Sequence, residues 1–203
     1  MSQSSPPPAT PADPPAEAGN SAPVIRPGYL PAVLLFAAGT LLLAWPWLSG
    51  RVTIPWDAKA EFYPQLVFLA RSIHSGEWPF WAPNVFGGQP QIADPQSLIF
   101  SPPFLILALF NPSPSFQAAD AALFATLFCG GLGVMMFARE RGWHAAGGLV
   151  AAFAFSFGAS NAWRIQHVGQ VMSLCWFAVT LWLLARALER RSVLSGIFAG
   201  LAA

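Results

Sequence analysis

Charge is what this chain has least of. Only 9% of its 203 residues are Asp, Glu, Lys or Arg, while 55% are hydrophobic and the mean hydropathy is +0.50. A soluble domain carries about 25% charged residues, so this composition is not one written for water. The net charge is +1. Phosphate backbones are bound by clustered Lys and Arg, and so even a balance excludes nucleic acid as a partner. Cysteine is equally scarce. Cys129 and Cys175 each lie in an apolar run without a CxxC or Cys/His neighbourhood, which excludes a disulfide framework and a zinc site and leaves two small core residues. No Walker motif, nucleophile elbow or HExxH occurs. Gly130, Gly131 and Gly133 of CGGLGVMM follow no strand and form no nucleotide loop. In an apolar helix, such small residues let neighbouring helices approach closely in lipid.

What the chain does have is apolar runs of bilayer length. About 20 apolar residues cross a membrane, and runs of that order cover 29–48, 118–138, 145–162 and 171–188, with a fifth starting near Val193. Tyr29 stands at one end of the first run and Trp45 and Trp47 at the other, as aromatic residues do at both interfaces. The last run, SVLSGIFAGLAA, stops after about ten residues, an expectation of a fragment of a longer membrane protein. Residues 1–28 are Pro-, Ala- and Ser-rich with Asp13 and Glu17. They cannot bury enough surface to offset ordering entropy and are expected to be a disordered cytoplasmic tail. No basic region directly precedes the first apolar run, which disfavours a cleaved signal peptide. The fold class expected is therefore an all-α integral membrane protein. It is a multi-span helical bundle whose large first extracytoplasmic loop, about 50–117, carries short interfacial helices.

Sidedness follows from positive charge. Short loops with Arg139 and Arg141, and with Arg186, Arg190 and Arg191, are expected to be cytoplasmic. The turn holding Arg164 and His167 then faces outward, with everything from the first span to Ala118. LIFSPPFLILALF (98–110) is too short to span comfortably and contains two prolines, so it reads as a re-entrant or interface-lying helix; a short tilted span is the alternative, and would invert the parity. PQLVFLARSIHSG predicts a short helix, with Pro64 in its first turn and Gly76 at its stop. Leu66, Leu69, Ala70 and Ile73 share one face, as in an amphipathic helix lying on the outer leaflet. WPFWAPNVFGGQP predicts extended, turn-rich backbone around Gly87-Gly88.

Polar side chains in a membrane protein are costly unless they sit at the water boundary, and the outer segment is where they gather. Asp57 and Glu61 are four apart, on one side of a helical turn. Such a pair can act as a general base or hold a divalent cation through oxygen; it can equally be two solvated charges balanced by Lys59. Asp94 precedes Pro95 and either caps a turn or is a second functional acid. Gln89, Gln91 and Gln96 offer neutral donors and acceptors to sugar hydroxyls or phosphate oxygens, or are ordinary loop polarity. Arg164 and His167 form a cation pair suited to an anionic lipid phosphate, or a headgroup-level anchor. His74 and His144 read as interface residues without a role.

Taken in order, Asp57 after the first span, FYPQ, the helix ending in SGEWPFW, PNVFGGQPQ and the SPPFLI run resemble the bacterial YfhO-like membrane proteins of the GT-C glycosyltransferase superfamily. The likeness covers about 51–115, with a looser match in helix layout to the end. It implies an integral membrane enzyme that transfers a sugar from a polyprenyl-phosphate donor on the extracytoplasmic face of the cell membrane, toward an acceptor the sequence does not name. It further implies Asp57 as the base toward the acceptor hydroxyl, Glu61 as its helper and Asp94 as a second acid of the outer loop. Gln89, Gln91, Arg164 and His167 are then the substrate-binding candidates. Many relatives carry a second acid directly beside the first, whereas here Ala58 and Lys59 follow Asp57. A transporter or flippase-like protein and a non-catalytic membrane protein are the competing readings. Transport places ionisable residues within spans, and these spans hold none apart from boundary residues such as Asp120.

Overall fold

The computed structural model describes residues 28–203, so the Pro-rich tail lies outside the described residues except for Gly28. Four helical segments are long and apolar enough to cross a membrane. They are α1 (Tyr29–Leu48), α4 (Phe116–Glu140), the pair α5 (Ala145–Phe157) and α6 (Ala159–Arg164), and α7 (Val168–Arg190). A final helix, α8 (Val193–Ala202), packs on α7. Between α1 and α4 come a π-helical turn (Ala58–Phe62), α2 (Tyr63–Ser75), a two-stranded hairpin and α3 (Pro102–Phe110). The hairpin pairs β1 (Trp81–Ala82) antiparallel with β2 (Gln89–Pro90).

Helix α1 shows how the bundle sorts its side chains. Ala32, Phe36, Thr40 and Ala44 recur every fourth residue and are buried, while Leu34, Leu35, Leu41 and Leu42 are exposed. A water-soluble helix turns its leucines inward; a helix in lipid leaves them on the outside and packs through small residues. Phe36 is the one large side chain on the inner stripe. It stacks on Phe128 at 5.3 Å and meets Phe153 edge-on at 5.1 Å.

Helix α4 is the centre of the bundle, packed against α1, α5 and α7. Its glycines make this possible. A Cβ on Gly130 would lie 2.9 Å from the Cα of Cys175, and one on Gly133 would lie 3.0 Å from the backbone nitrogen of Val179, both on α7. On Gly131 it would lie 2.3 Å from the ring of Phe36 and 2.4 Å from Ser156 Oγ. No side chain fits between these helices.

Hydrogen bonds fix which ends lie together. Tyr29 Oη donates to the Trp143 carbonyl at 2.8 Å, joining the start of α1 to the α4–α5 turn. At that end Glu140 accepts from Arg186 Nη1 at 3.0 Å and from Arg190 Nη2 at 3.0 Å, and Arg141 pairs with Glu189 at 3.2 Å. At the other end Gln117 Nε2 donates to the Leu48 carbonyl and Asp120 Oδ2 accepts from the Ile54 amide at 3.3 Å. The arginine-bearing turns thus share one end, and the 49–115 segment shares the other with the α6–α7 turn.

Two expectations change in detail. The third span is broken at Gly158, where Asn161 Nδ2 donates to the Phe155 carbonyl at 2.6 Å. A backbone group freed inside a bilayer needs such a partner. The apolar face of α2 does not lie on lipid, because Leu66, Leu69 and Ala70 are buried in one cluster with Phe104 and Ala108 of α3. A neighbouring helix covers it before a leaflet can. Residues 98–110 yield the nine-residue α3, which crosses nothing and pins α2 through His74 Nε2 and the Ala108 carbonyl at 3.0 Å.

The glycine contacts predict that Gly130→Leu will lower the thermal or denaturant midpoint of the purified protein sharply. Gly130→Ala will cost about 1–3 kcal/mol through overpacking. Gly147, with nothing within 4 Å of its missing Cβ, should accept alanine neutrally or with a gain of about 0.5–1 kcal/mol, the helix-propensity difference. Equal losses at the two positions would contradict this packing.

Candidate functional site

The site is built where α7 begins. Val168 and Val171 in its first turn are buried in one cluster with Ile54 and Phe62, and a Cβ on Gly169 would meet Phe62 and Leu98 at 3.5 Å. Phe62 ends the π-helical turn that starts after Asp57. Apolar packing therefore docks the Asp57 turn directly on the residue before α7, His167. The polar result is a contact of 3.0 Å between His167 Nδ1 and Asp57 Oδ2.

The local backbone on both sides is specialised. Trp56, just before Asp57, holds φ +59°, a left-handed conformation that a bulky residue adopts only under constraint, and its carbonyl accepts from the Lys59 and Ala60 amides at 3.0 and 2.9 Å. His167 is the N-cap residue of α7, and its carbonyl accepts from the Gln170 and Val171 amides at 3.0 and 3.2 Å. Asp57 thus meets the residue that opens the 23-residue α7. The side chains of His167 and Asp57 are 37% and 46% exposed, enough for a reactant to reach them.

The other candidate residues divide into smaller sets. Arg164 stands on the same α6–α7 turn as His167 and donates from Nη1 to Gln170 Oε1 at 2.7 Å. Glu61, on the π-helical turn with Asp57, has no hydrogen-bond or ion-pair partner among the described residues. Asp94 Oδ1 accepts from the Gln96 amide at 2.8 Å, so it does cap a turn, and Gln89 Nε2 approaches its Oδ2 at 3.5 Å. Gln91 is buried, 4% exposed, with Oε1 unpartnered, and it does not stand open to solvent. The dyad of Asp57 and His167 therefore forms one centre, and Asp94 with Gln89 forms another.

Asp94 borders a cavity of about 710 Å³, together with Ser97, Ser101, Met172, Trp176 and Thr180. Trp176 Nε1 and Thr180 Oγ1 are buried without partners on its α7 wall. Neither Asp57 nor His167 lines it. Among the described residues no three His, Cys, Asp or Glu side chains converge as metal ligands. Asp57 and His167 offer two donors, short of the oxygen-rich set a protein-held divalent cation takes.

Sequence reasoning passed over Asp120 and Asn161. Asp120 is 5% exposed near the start of α4 and ties Ile54, three residues before Asp57, to the bundle. Its position at the edge of an apolar run made it look like an ordinary boundary charge. Nothing in the sequence marks Asn161 as the staple of a broken helix.

Because the Asp57–His167 pair is partly solvated, its coupling should be small, about 0.2–1 kcal/mol. A double-mutant cycle with Asp57→Asn and His167→Gln, read by unfolding of the purified protein, should show each single change costing no more than about 1 kcal/mol. Global unfolding of either variant would mean that the pair holds the fold together.

No family model, no curated protein and no solved structure matches this chain.

Proposed function

We propose that this chain is a membrane glycosyltransferase, or the N-terminal part of one, which transfers a sugar from a polyprenyl-phosphate donor to an acceptor hydroxyl at the loop end of the bundle. The observation that supports this reading is the 3.0 Å contact between Asp57 and His167. It joins two residues 110 positions apart, in a half-exposed setting at the boundary of the spans. The arginine-bearing end is taken as cytoplasmic by the positive-inside rule, and the loop end is then extracytoplasmic.

The chemistry requires little more than such a pair. The proton of the acceptor hydroxyl passes to the carboxylate–imidazole pair as the acceptor oxygen attacks the anomeric carbon. The bond from that carbon to the phosphate oxygen breaks, and its electron pair leaves on the phosphate. A phosphate is already a good leaving group, so a base and stabilisation of the departing charge supply most of the catalysis. Arg164, three residues before His167, is a cation available to that charge.

Asp57→Asn in the intact protein is expected to lower glycan transfer by about 10²–10⁴-fold, the range of a lost general base, at unchanged membrane abundance. His167→Gln should do the same, while Gln96→Ala, outside the pair, should not. Transfer by the Asp57→Asn protein at the wild-type rate would overturn the assignment.

A further inference from the structure

A second surface at the loop end carries exposed aromatic side chains that the transfer chemistry does not use. The segment 78–93, WPFWAPNVFGGQPQIA, contains no charged residue, and it forms the hairpin of β1 and β2. Apart from Phe80, which packs against the core, its aromatic side chains are exposed. Trp78 and Trp81 are exposed, and Phe86 at the tip is 99% exposed. The tip backbone holds Phe86 where it is. Phe86, Gly87 and Gly88 have φ of +50°, +79° and +123°, and Gly88 N donates to the Val85 carbonyl at 2.8 Å. A phenylalanine in the left-handed region is strained, yet no ring in the described residues packs on it to repay that strain. Gly88 is required for its own reason, since a Cβ there would meet the Trp81 ring at 2.4 Å.

The apolar surface continues from the hairpin into the bundle. Trp78 stacks on Phe80 at 5.4 Å and Phe80 meets Phe100 at 6.4 Å. The groove beside them is closed by Leu105 of α3, whose Ile106, Leu109 and Phe110 are exposed in turn. Height is fixed by the cavity wall: Ile92 and Phe100 share it with Met172, Trp176 and Phe177 of α7. Phe177 lies nine residues into that spanning helix, about 14 Å along it at 1.5 Å per residue. The segment after the hairpin therefore runs down beside a span and does not project into water.

We infer that the hairpin tip, Val85 and Phe86 with Trp78 and Trp81 behind it, inserts into the interfacial layer of the bilayer at the loop end and anchors the 49–115 segment on the leaflet. Trp and other aromatic residues favour that layer. Asn84 and Gln89 give the segment neutral hydrogen-bonding groups compatible with headgroups, and the absence of charge removes the cost of dipping. This anchor takes over the leaflet contact that α2, covered by α3, does not make. The proposal is independent of sugar transfer.

The test uses the full chain with Cys129→Ala, reconstituted in phosphatidylcholine–phosphatidylglycerol vesicles, with a nitroxide attached at Phe86→Cys. Arg71→Cys, on the exposed side of α2, serves as the aqueous reference. Power saturation should show the label at 86 relaxed more by oxygen than by a water-soluble nickel chelate, with the ratio inverted at 71. Nickel access at 86 equal to that at 71 would overturn the proposal. So would a label at 86 shielded from both reagents, which would mean that protein covers the tip. Val85→Cys, also exposed and adjacent, provides the same readout should Phe86→Cys not fold.

Discussion

Everything at the loop end depends on how closely α4 approaches α7. Lipid tails are as apolar as leucine, so helices in a bilayer gain little from hiding hydrophobic surface and are held by close contact. Gly130 and Gly133 let the backbone of α7 lie against α4 with no intervening side chain. That contact determines where α7 begins, and hence where His167 stands relative to Asp57. An error of about 1 Å in such a position is enough to cost a catalytic centre two orders of magnitude. The glycines far from the chemistry are in this sense part of it.

The two ends of the bundle solve the same problem with different chemistry. At the arginine-bearing end, Glu140 draws Arg186 and Arg190 together, and Arg141 meets Glu189. At the loop end, backbone groups are satisfied by single side chains: Asp120 on Ile54, Gln117 on Leu48, Asn161 on Phe155. Each satisfies a backbone donor or acceptor that the helix ladder leaves unmet. They also hold the strand leading to Asp57 against the first turn of α4, so the Asp57 turn is anchored from one side by Asp120 and docked from the other by Phe62. Beside α7, by contrast, Trp176 and Thr180 leave buried polar atoms unpaired on the cavity wall.

The spans were legible because length and hydropathy are local properties, and each spanning helix falls within a few residues of its apolar run. So were the stop of α2 at Gly76, where φ is +73°, and the Gly87-Gly88 turn. What was not legible is pairing across distance. The four-residue spacing of Asp57 and Glu61 drew attention to that pair, yet the turn is π-helical and the partner Asp57 meets is His167. No pattern in the sequence links those two positions. The amphipathic stripe of α2 was read correctly as a stripe but assigned to the wrong neighbour, because periodicity shows that a face is covered without showing by what. Asp94 was ambiguous between cap and catalyst, and its hydrogen bond to the Gln96 amide is that of a cap.

The central claim is that the bundle holds His167 against the Asp57 carboxylate through Nδ1. Nitrogen-15 spectra of histidine-labelled full chain in lipid test it directly. With the carboxylate accepting from Nδ1, the neutral imidazole of His167 should carry its proton on Nδ1 and leave Nε2 bare, and Asp57→Asn should shift that resonance while leaving those of His74 and His144 in place. A His167 proton on Nε2 in the wild-type protein, or a His167 signal indifferent to Asp57→Asn, would contradict the account.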